Sequence, residues 1–189
     1  TKKMTALTSG NFEVMNLQFY AKKKIFFANM NRNEPGRFLP CKIDPKLPLG
    51  WVSLLPPKKV LGEEPGFSEI YASPSGENMV FRFSSIERPW ELAIREKSAI
   101  DCKVITHSTA PEFEKYAWDK GKVISFPGMD GKLVYARLYQ PGKEVKNSAA
   151  VIFVHGAGYL QNAHHWWSNY YREFMFHHFL TERGYTVLD

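Results

Sequence analysis

The chain has 189 residues, 44% of them hydrophobic and 15% aromatic, a content that excludes a disordered polypeptide and permits a buried core. Its net charge of +6 comes from scattered lysines, with short groups at Lys22 to Lys24 and Lys58-Lys59 that no aromatics interleave, so no nucleic-acid partner is expected. No apolar run approaches the roughly 20 residues that cross a bilayer, and no apolar stretch follows the opening lysines to make a secretory signal.

From about residue 11 to residue 100 the sequence reads as short strands divided by turns. Asn16-Leu-Gln-Phe-Tyr20 and Lys24-Ile-Phe-Phe-Ala28 flank a lysine-rich turn, and a second turn at residues 31–36 leads to Arg37-Phe-Leu-Pro-Cys41. A comparable unit follows: Phe67-Ser-Glu-Ile-Tyr71, a turn at Ser73-Pro-Ser-Gly76, Asn78-Met-Val-Phe-Arg-Phe83, a turn at residues 87–89, and Trp90-Glu-Leu-Ala-Ile94. Two similar meanders point to a repeat. The Ser-Pro-Ser-Gly turn is of the kind that joins strands in β-propeller blades, where Pro presets φ and Gly accepts φ > 0, although it also suits a β-sandwich. Residues 47–66, rich in Pro and Gly, read as an irregular connection, and Glu63-Glu64 within them as an exposed turn.

Cys41 and Cys102 lie far apart with no second Cys or His at ligand spacing, so they read as two ordinary thiols; neither a metal site nor a cofactor is expected. Residues 106–121, with Pro111 and several charges, break the β pattern and read as a linker between a β-rich unit at 1–105 and a second unit at 122–189.

The second unit opens with Lys122-Val-Ile-Ser-Phe126, an Asp130-Gly131 turn and Leu133-Val-Tyr-Ala-Arg-Leu-Tyr139, a hairpin signature. Ala149-Ala-Val-Ile-Phe-Val154 is apolar at every position, as in a strand buried on both faces of a parallel sheet. Trp167, Tyr170, Tyr171, Phe174, Met175, His178 and Phe179 recur at helical spacing, with Gly184 placed as a C-terminal cap and a strand-like run at residues 185–188 beyond it. Strand, loop, helix and strand make a βαβ unit, the beginning of an α/β domain. The sequence starts on Thr1 and stops on Asp189 inside that last strand-like run, so it is expected to be part of a longer protein whose sheet continues past an apolar edge at Leu188.

Chemistry concentrates in His155-Gly156-Ala157-Gly158-Tyr159, directly after the apolar strand. In α/β-hydrolases an HGGG-type loop after the third strand supplies a backbone N–H to the oxyanion hole, and glycine lets the main chain approach the substrate oxygen. A plain strand-to-helix turn is the other reading of the same residues.

The run from Ala149 to Asn162, with Trp166-Trp167, Tyr170-Tyr171-Arg172-Glu173 and Gly184-Tyr-Thr-Val-Leu-Asp189, resembles the start of the catalytic domain of prolyl-oligopeptidase-family (S9) serine peptidases, especially dipeptidyl-peptidase-IV-like bacterial members. Residues 125–139 resemble that domain's opening hairpin, and Leu7-Thr-Ser-Gly-Asn-Phe-Glu13 its propeller strands. The resemblance implies the C-terminal blades of a β-propeller followed by the N-terminal part of an α/β-hydrolase domain. It implies an oxyanion loop at His155, Gly156, Ala157 and Gly158, a substrate-cavity border at Tyr159 and Trp166, a peptide substrate, a homo-oligomer of the parent protein and a periplasmic or secreted location. His155 falls where such enzymes often carry a tyrosine that assists the oxyanion hole.

No G-x-S-x-G occurs in the sequence, so the Ser-His-Asp triad is expected beyond residue 189 and the segment alone is expected to be inactive. Ser168 reads as a helical residue and Ser148 as part of a polar turn. His164-His165 and His177-His178 lack the spacing of a zinc site and are expected at a surface or interface, while Trp166-Trp167 reads mainly as packing. An esterase on the same fold, and a non-catalytic binding or structural piece, are the alternatives.

Overall fold

The computed structural model describes residues 4–32, 34–54, 66–97, 99, 101–145, 147–156 and 161–189. Twelve strands lie in three sheets of four among these residues. The first is an antiparallel meander of β1 (Val14–Tyr20), β2 (Ile25–Met30), β3 (Leu39–Ile43) and β4 (Trp51–Ser53), and the second repeats it with β5 (Phe67–Ala72), β6 (Met79–Ser84), β7 (Glu91–Arg95) and β8 (Lys103–Val104).

Alternation along β2 explains how these sheets stack. Ile25 and Phe27 face one way, into a core completed by Ile70, Phe81, Phe83 and Ala93 of the second sheet and by Cys102 just before β8. Ala28 and Met30 face the other way, against Cys41 and Ile43. A strand buried on both faces is what a sheet stacked between layers requires. The four-stranded meanders are propeller-like, and they form no closed ring among the described residues. Both cysteines are free and buried, and burial raises both thiols, that of Cys41 to about 12.

The expected turns are in place. Gly76 closes the β5–β6 loop with φ +71° and an N–H donated to the Ser73 carbonyl at 2.7 Å. Three expectations need correction. Residues 7–13 form no strand, the connection at 47–66 contains β4, and the meander has a fourth strand, β8, which pairs through only two residues. Glu63-Glu64 lies outside the described residues.

Residues 106–121 are more ordered than a linker. They contain a short helix, α1 (Pro111–Lys115), and their start is pinned to β7 by buried Glu91. The Glu91 carboxylate accepts the Ser108 N–H at 2.6 Å, the Ser108 hydroxyl at 2.8 Å and the Thr106 hydroxyl. Burial would raise its pKa, but these donors prevail and hold it below the usual value.

The third sheet is mixed, in spatial order β11 (Ala150–Ile152), β12 (Thr186–Leu188), β10 (Leu133–Tyr139), β9 (Lys122–Pro127). β9 and β10 form the expected hairpin, and β11 runs parallel to β12 with α2 (Tyr171–Glu182) crossing between them. The expectation for the apolar strand is overturned: β11 is an edge strand, and Ile152 and Val154 are 68% and 82% exposed. Strand β12 occupies the interior place, so the open edge belongs to residues 150–152 and not to Leu188. An apolar run looks the same in sequence whether or not a neighbour covers it.

Helix α2 starts at Tyr171, later than the spacing implied, because residues 161–170 are irregular. Its buried stripe is Phe174, His177, His178 and Thr181, whereas Tyr171, Met175, Phe176 and Phe179 are exposed. Gly184 ends the helix as expected: at φ +90° its N–H reaches the Thr181 carbonyl and the Tyr185 N–H reaches Leu180, a Schellman closure that suits glycine.

Candidate oxyanion loop and the polar strap behind it

Strand β11 is the third strand of its sheet in chain order, and the candidate loop leaves from its end. The Phe153 N–H still donates to the Leu188 carbonyl at 2.8 Å, after which His155 and Gly156 leave the ladder. The His155 ring stacks on Tyr170, with centroids 5.8 Å apart and planes 26° apart, and its Nδ1 lies 2.9 Å from the Gly156 carbonyl oxygen. Gly156 has no positive φ, and a Cβ there would meet nothing within 4 Å among the described residues, so neither backbone conformation nor packing against those residues requires glycine. Ala157, Gly158 and Tyr159 lie outside the described residues.

Residues 161–170 return the chain to α2 as a strap without strand or helix. Side chains hold it instead. Asn162 Nδ2 donates to Asp189 Oδ1 at 2.8 Å, and Asn162 Oδ1 accepts the Ser168 hydroxyl at 3.3 Å. Ser168 Oγ in turn accepts the Tyr170 N–H at 3.0 Å. Ser168 therefore precedes the helix, correcting its expected place within it, and its hydroxyl is bound to Asn162 and Tyr170.

Backbone contact anchors the strap to the two antiparallel sheets. The His165 N–H donates to the Gly36 carbonyl at 2.9 Å, and a Cβ built on Gly66 would fall inside the van der Waals radius of the His165 carbonyl carbon and oxygen. Backbone cannot swing aside as a flexible side chain can. Gly66→Ala is therefore expected to destabilise the protein by about 1–3 kcal/mol, read as a lower urea midpoint; an unchanged midpoint would mean that the strap is not seated there.

The histidine expectation is also corrected. His164, His177 and His178 are buried, and His165 is largely covered and paired with Glu34. Distant partners account for this: the Asp119 N–H donates to His178 Nδ1 at 3.1 Å, and His177 Nδ1 stands 3.5 Å from Asp189 Oδ2. Burial lowers the pKa of all four, that of His178 to about 4 and that of His164 well below its ordinary value. Beside them, Arg137 on β10 is fully buried; it donates to the Tyr139 hydroxyl at 3.1 Å and to the His164 carbonyl, and lies 3.1 Å from His164 Nδ1. No group of three or more His, Cys, Asp or Glu is placed to hold a metal ion among the described residues.

Trp166 and Trp167 are packing residues. Trp166 lies against Phe38 and Phe67 and stacks on His164, and Trp167 contacts Phe113, Trp118 and Phe174. No ring contact joins Trp166 to His155 among the described residues. A cavity of about 740 Å³ opens elsewhere, between Ser85, Arg88, His107, Trp118 and Lys120, and neither His155 nor Gly156 lines it.

Among solved structures, the chain matches Porphyromonas gingivalis dipeptidyl peptidase 4 with a TM-score of 0.73 and 16% identity, over 96% of this chain and 25% of that one. The chain shares its fold with a segment of a dipeptidyl peptidase. At that identity the likeness establishes fold alone, and the chain spans about a quarter of the peptidase's length. No family model and no curated protein sequence matches it. No described helix is long and apolar enough to cross a membrane.

Proposed function

We propose that this chain is the segment of a serine peptidase that joins the last propeller blades to the start of an α/β-hydrolase domain, and that the His155-Gly156 loop contributes to its oxyanion hole. The observation that carries the reading is positional. A glycine-containing loop leaves the third strand of a mixed sheet, that sheet follows two four-stranded meanders, and the whole arrangement parallels a dipeptidyl peptidase fold. The domain division at 1–105, 106–121 and 122–189 belongs to this reading.

Two surfaces support a larger parent. Among the described residues, helix α2 leaves Tyr171, Met175, Phe176 and Phe179 uncovered, and β11 leaves an apolar edge open. Contiguous exposed apolar side chains are ordinarily covered by a partner surface, and open strand edges are ordinarily paired.

In this mechanism a serine beyond Asp189 attacks the peptide carbonyl, a histidine relays its proton, and the negative charge on the tetrahedral oxygen is met by backbone N–H groups, that of Gly156 among them. One such donor is worth on the order of 3 kcal/mol of transition-state stabilisation. The side chain of His155, stacked on Tyr170, would orient the loop or donate through its ring. Peptide substrates, self-association of the parent, and a periplasmic or secreted location accompany the assignment.

Assaying the full-length gene product with chromogenic dipeptide anilides and with short acyl esters tests it. Anilide turnover exceeding ester turnover is expected. Ester turnover alone would move the assignment to an esterase, and no turnover of either would leave the non-catalytic reading.

A further inference from the structure

The strap is held from one place. Arg137 and Asp189 are directly opposed across β10 and the end of β12: the Arg137 N–H donates to the Asp189 carbonyl at 2.6 Å and the Asp189 N–H to the Arg137 carbonyl at 2.9 Å. From this pair Arg137 reaches the His164 carbonyl, and the Asp189 carboxylate takes the Asn162 amide. Asn162, His164 and Ser168 are all nearly inaccessible to solvent.

A buried polar chain is an expensive way to fasten a loop. Desolvating an ion is unfavourable, and apolar side chains of similar volume often stabilise as well or better. What hydrogen bonds supply is direction, since each donor and acceptor fixes a distance and an angle. Here the direction passes along an unbroken series: Asp189 Oδ1 to Asn162 Nδ2, Asn162 Oδ1 to Ser168 Oγ, Ser168 Oγ to the Tyr170 N–H, and the Tyr170 ring to the His155 ring. Phe153 packs on the same Tyr170 ring from the strand side, with centroids 5.9 Å apart.

We propose that Asn162 is a positioning residue which, through Ser168 and Tyr170, sets the orientation of His155-Gly156 and with it the aim of the Gly156 N–H. Asn162 touches no reacting atom. Its amide is the one link that accepts from Ser168 while donating to Asp189, so an aspartate there loses the donor and faces a like charge. The inference rests on the oxyanion reading of the loop, and it adds which residue keeps that loop aligned.

The test compares Asn162→Ala, Asn162→Asp and the milder Ser168→Ala with wild type in the full-length gene product, with kcat referred to active sites titrated by a fluorophosphonate. Displacements of about 1 Å at a catalytic donor lower rates by up to about a hundredfold. A fall in kcat per titrated site of about tenfold or more, with KM within twofold, is expected for each folded variant. A merely structural role lowers the titratable fraction and leaves kcat per site intact, which overturns the proposal. Where Asn162 variants do not fold, Ser168→Ala alone decides, and wild-type kcat per site in it overturns the proposal equally. Absence of labelling in wild type overturns the oxyanion reading itself, and is distinct from a labelled wild type whose variants turn over normally.

Discussion

Replacing Phe174 by alanine is expected to remove about 3–5 kcal/mol of stability, the usual range for a fully buried phenylalanine. Phe174 is 1% exposed and is the point at which α2, the residues after α1 and the mixed sheet meet. Its ring lies 4.9 Å from Trp167, 5.8 Å from Trp118, 6.1 Å from Tyr139 and 4.5 Å from His178, measured between centroids. Ile86, from the turn after β6, joins the same core, so the helix also ties the mixed sheet to the second meander. A 12-residue helix is marginal in water without such packing, and truncation both withdraws apolar area and leaves a cavity. Equilibrium urea unfolding followed by tryptophan fluorescence, which reports Trp118 and Trp167 directly, measures the change. A loss below about 1 kcal/mol would mean that α2 is docked by something other than this aromatic core.

Acidification is expected to unfold the same region. His178 is pushed down to about 4, chiefly by burial, with Asp119 and Glu182 acting the other way and His177 and Arg137 adding to the depression. His177 is lowered as well, burial and Arg137 outweighing Asp189 and Glu173, and burial beside Arg137 holds His164 well below its ordinary value. Between about pH 6.5 and pH 4 the unfolded chain binds a proton at position 178 that the folded chain does not. Stability is therefore complete above the unfolded pKa and falls with pH through this window. His178 alone contributes a loss of about 2 kcal/mol by pH 5 and about 3 kcal/mol once pH 4 is passed. His178→Asn, which keeps an acceptor near the Asp119 N–H but does not titrate, should be less stable at pH 7.5 and show a flatter profile between pH 7 and pH 4. An unaltered profile in that variant would remove His178 as the source.

Local chemistry made much of the fold legible. The strand-like runs that became β2, β5 and β6, the glycines at residues 76 and 184, and the Asp130-Gly131 hairpin each act within a few residues, and each lies where its sequence signal put it. What was hidden depends on residues far apart in sequence. β11 is an edge because β12 inserts between it and β10, and no apolar run carries its neighbours' identities. His177 and His178 are buried because Asp189 and Asp119 come to meet them, although histidine pairs ordinarily read as surface. Aromatics on several faces of α2 also blurred the periodicity, so the stripe that docks was not the one the spacing favoured.

The candidate site divides the same way. His155 and Gly156 were singled out as candidates from the strand–glycine–helix order, which is a local signal. Their supports, Asn162, Arg137 and Asp189, were not. Arg137 sits in an otherwise apolar strand, Asn162 in an irregular stretch, and the seat of the strap at Gly36 and Gly66 is about a hundred residues away or more. The signal that could have found the strap is the density of buried-type polar and aromatic residues between 161 and 170, a stretch too rich in side-chain hydrogen-bonding groups to be an ordinary surface connection.

The most direct measurement is fluorophosphonate labelling of the full-length gene product, followed by mass spectrometry of the labelled peptide. A single modified serine in a G-x-S-x-G sequence beyond Asp189, with no modification of Ser148 or Ser168, is the predicted result. An unlabelled protein, or a label carried by a serine within these 189 residues, would contradict the assignment.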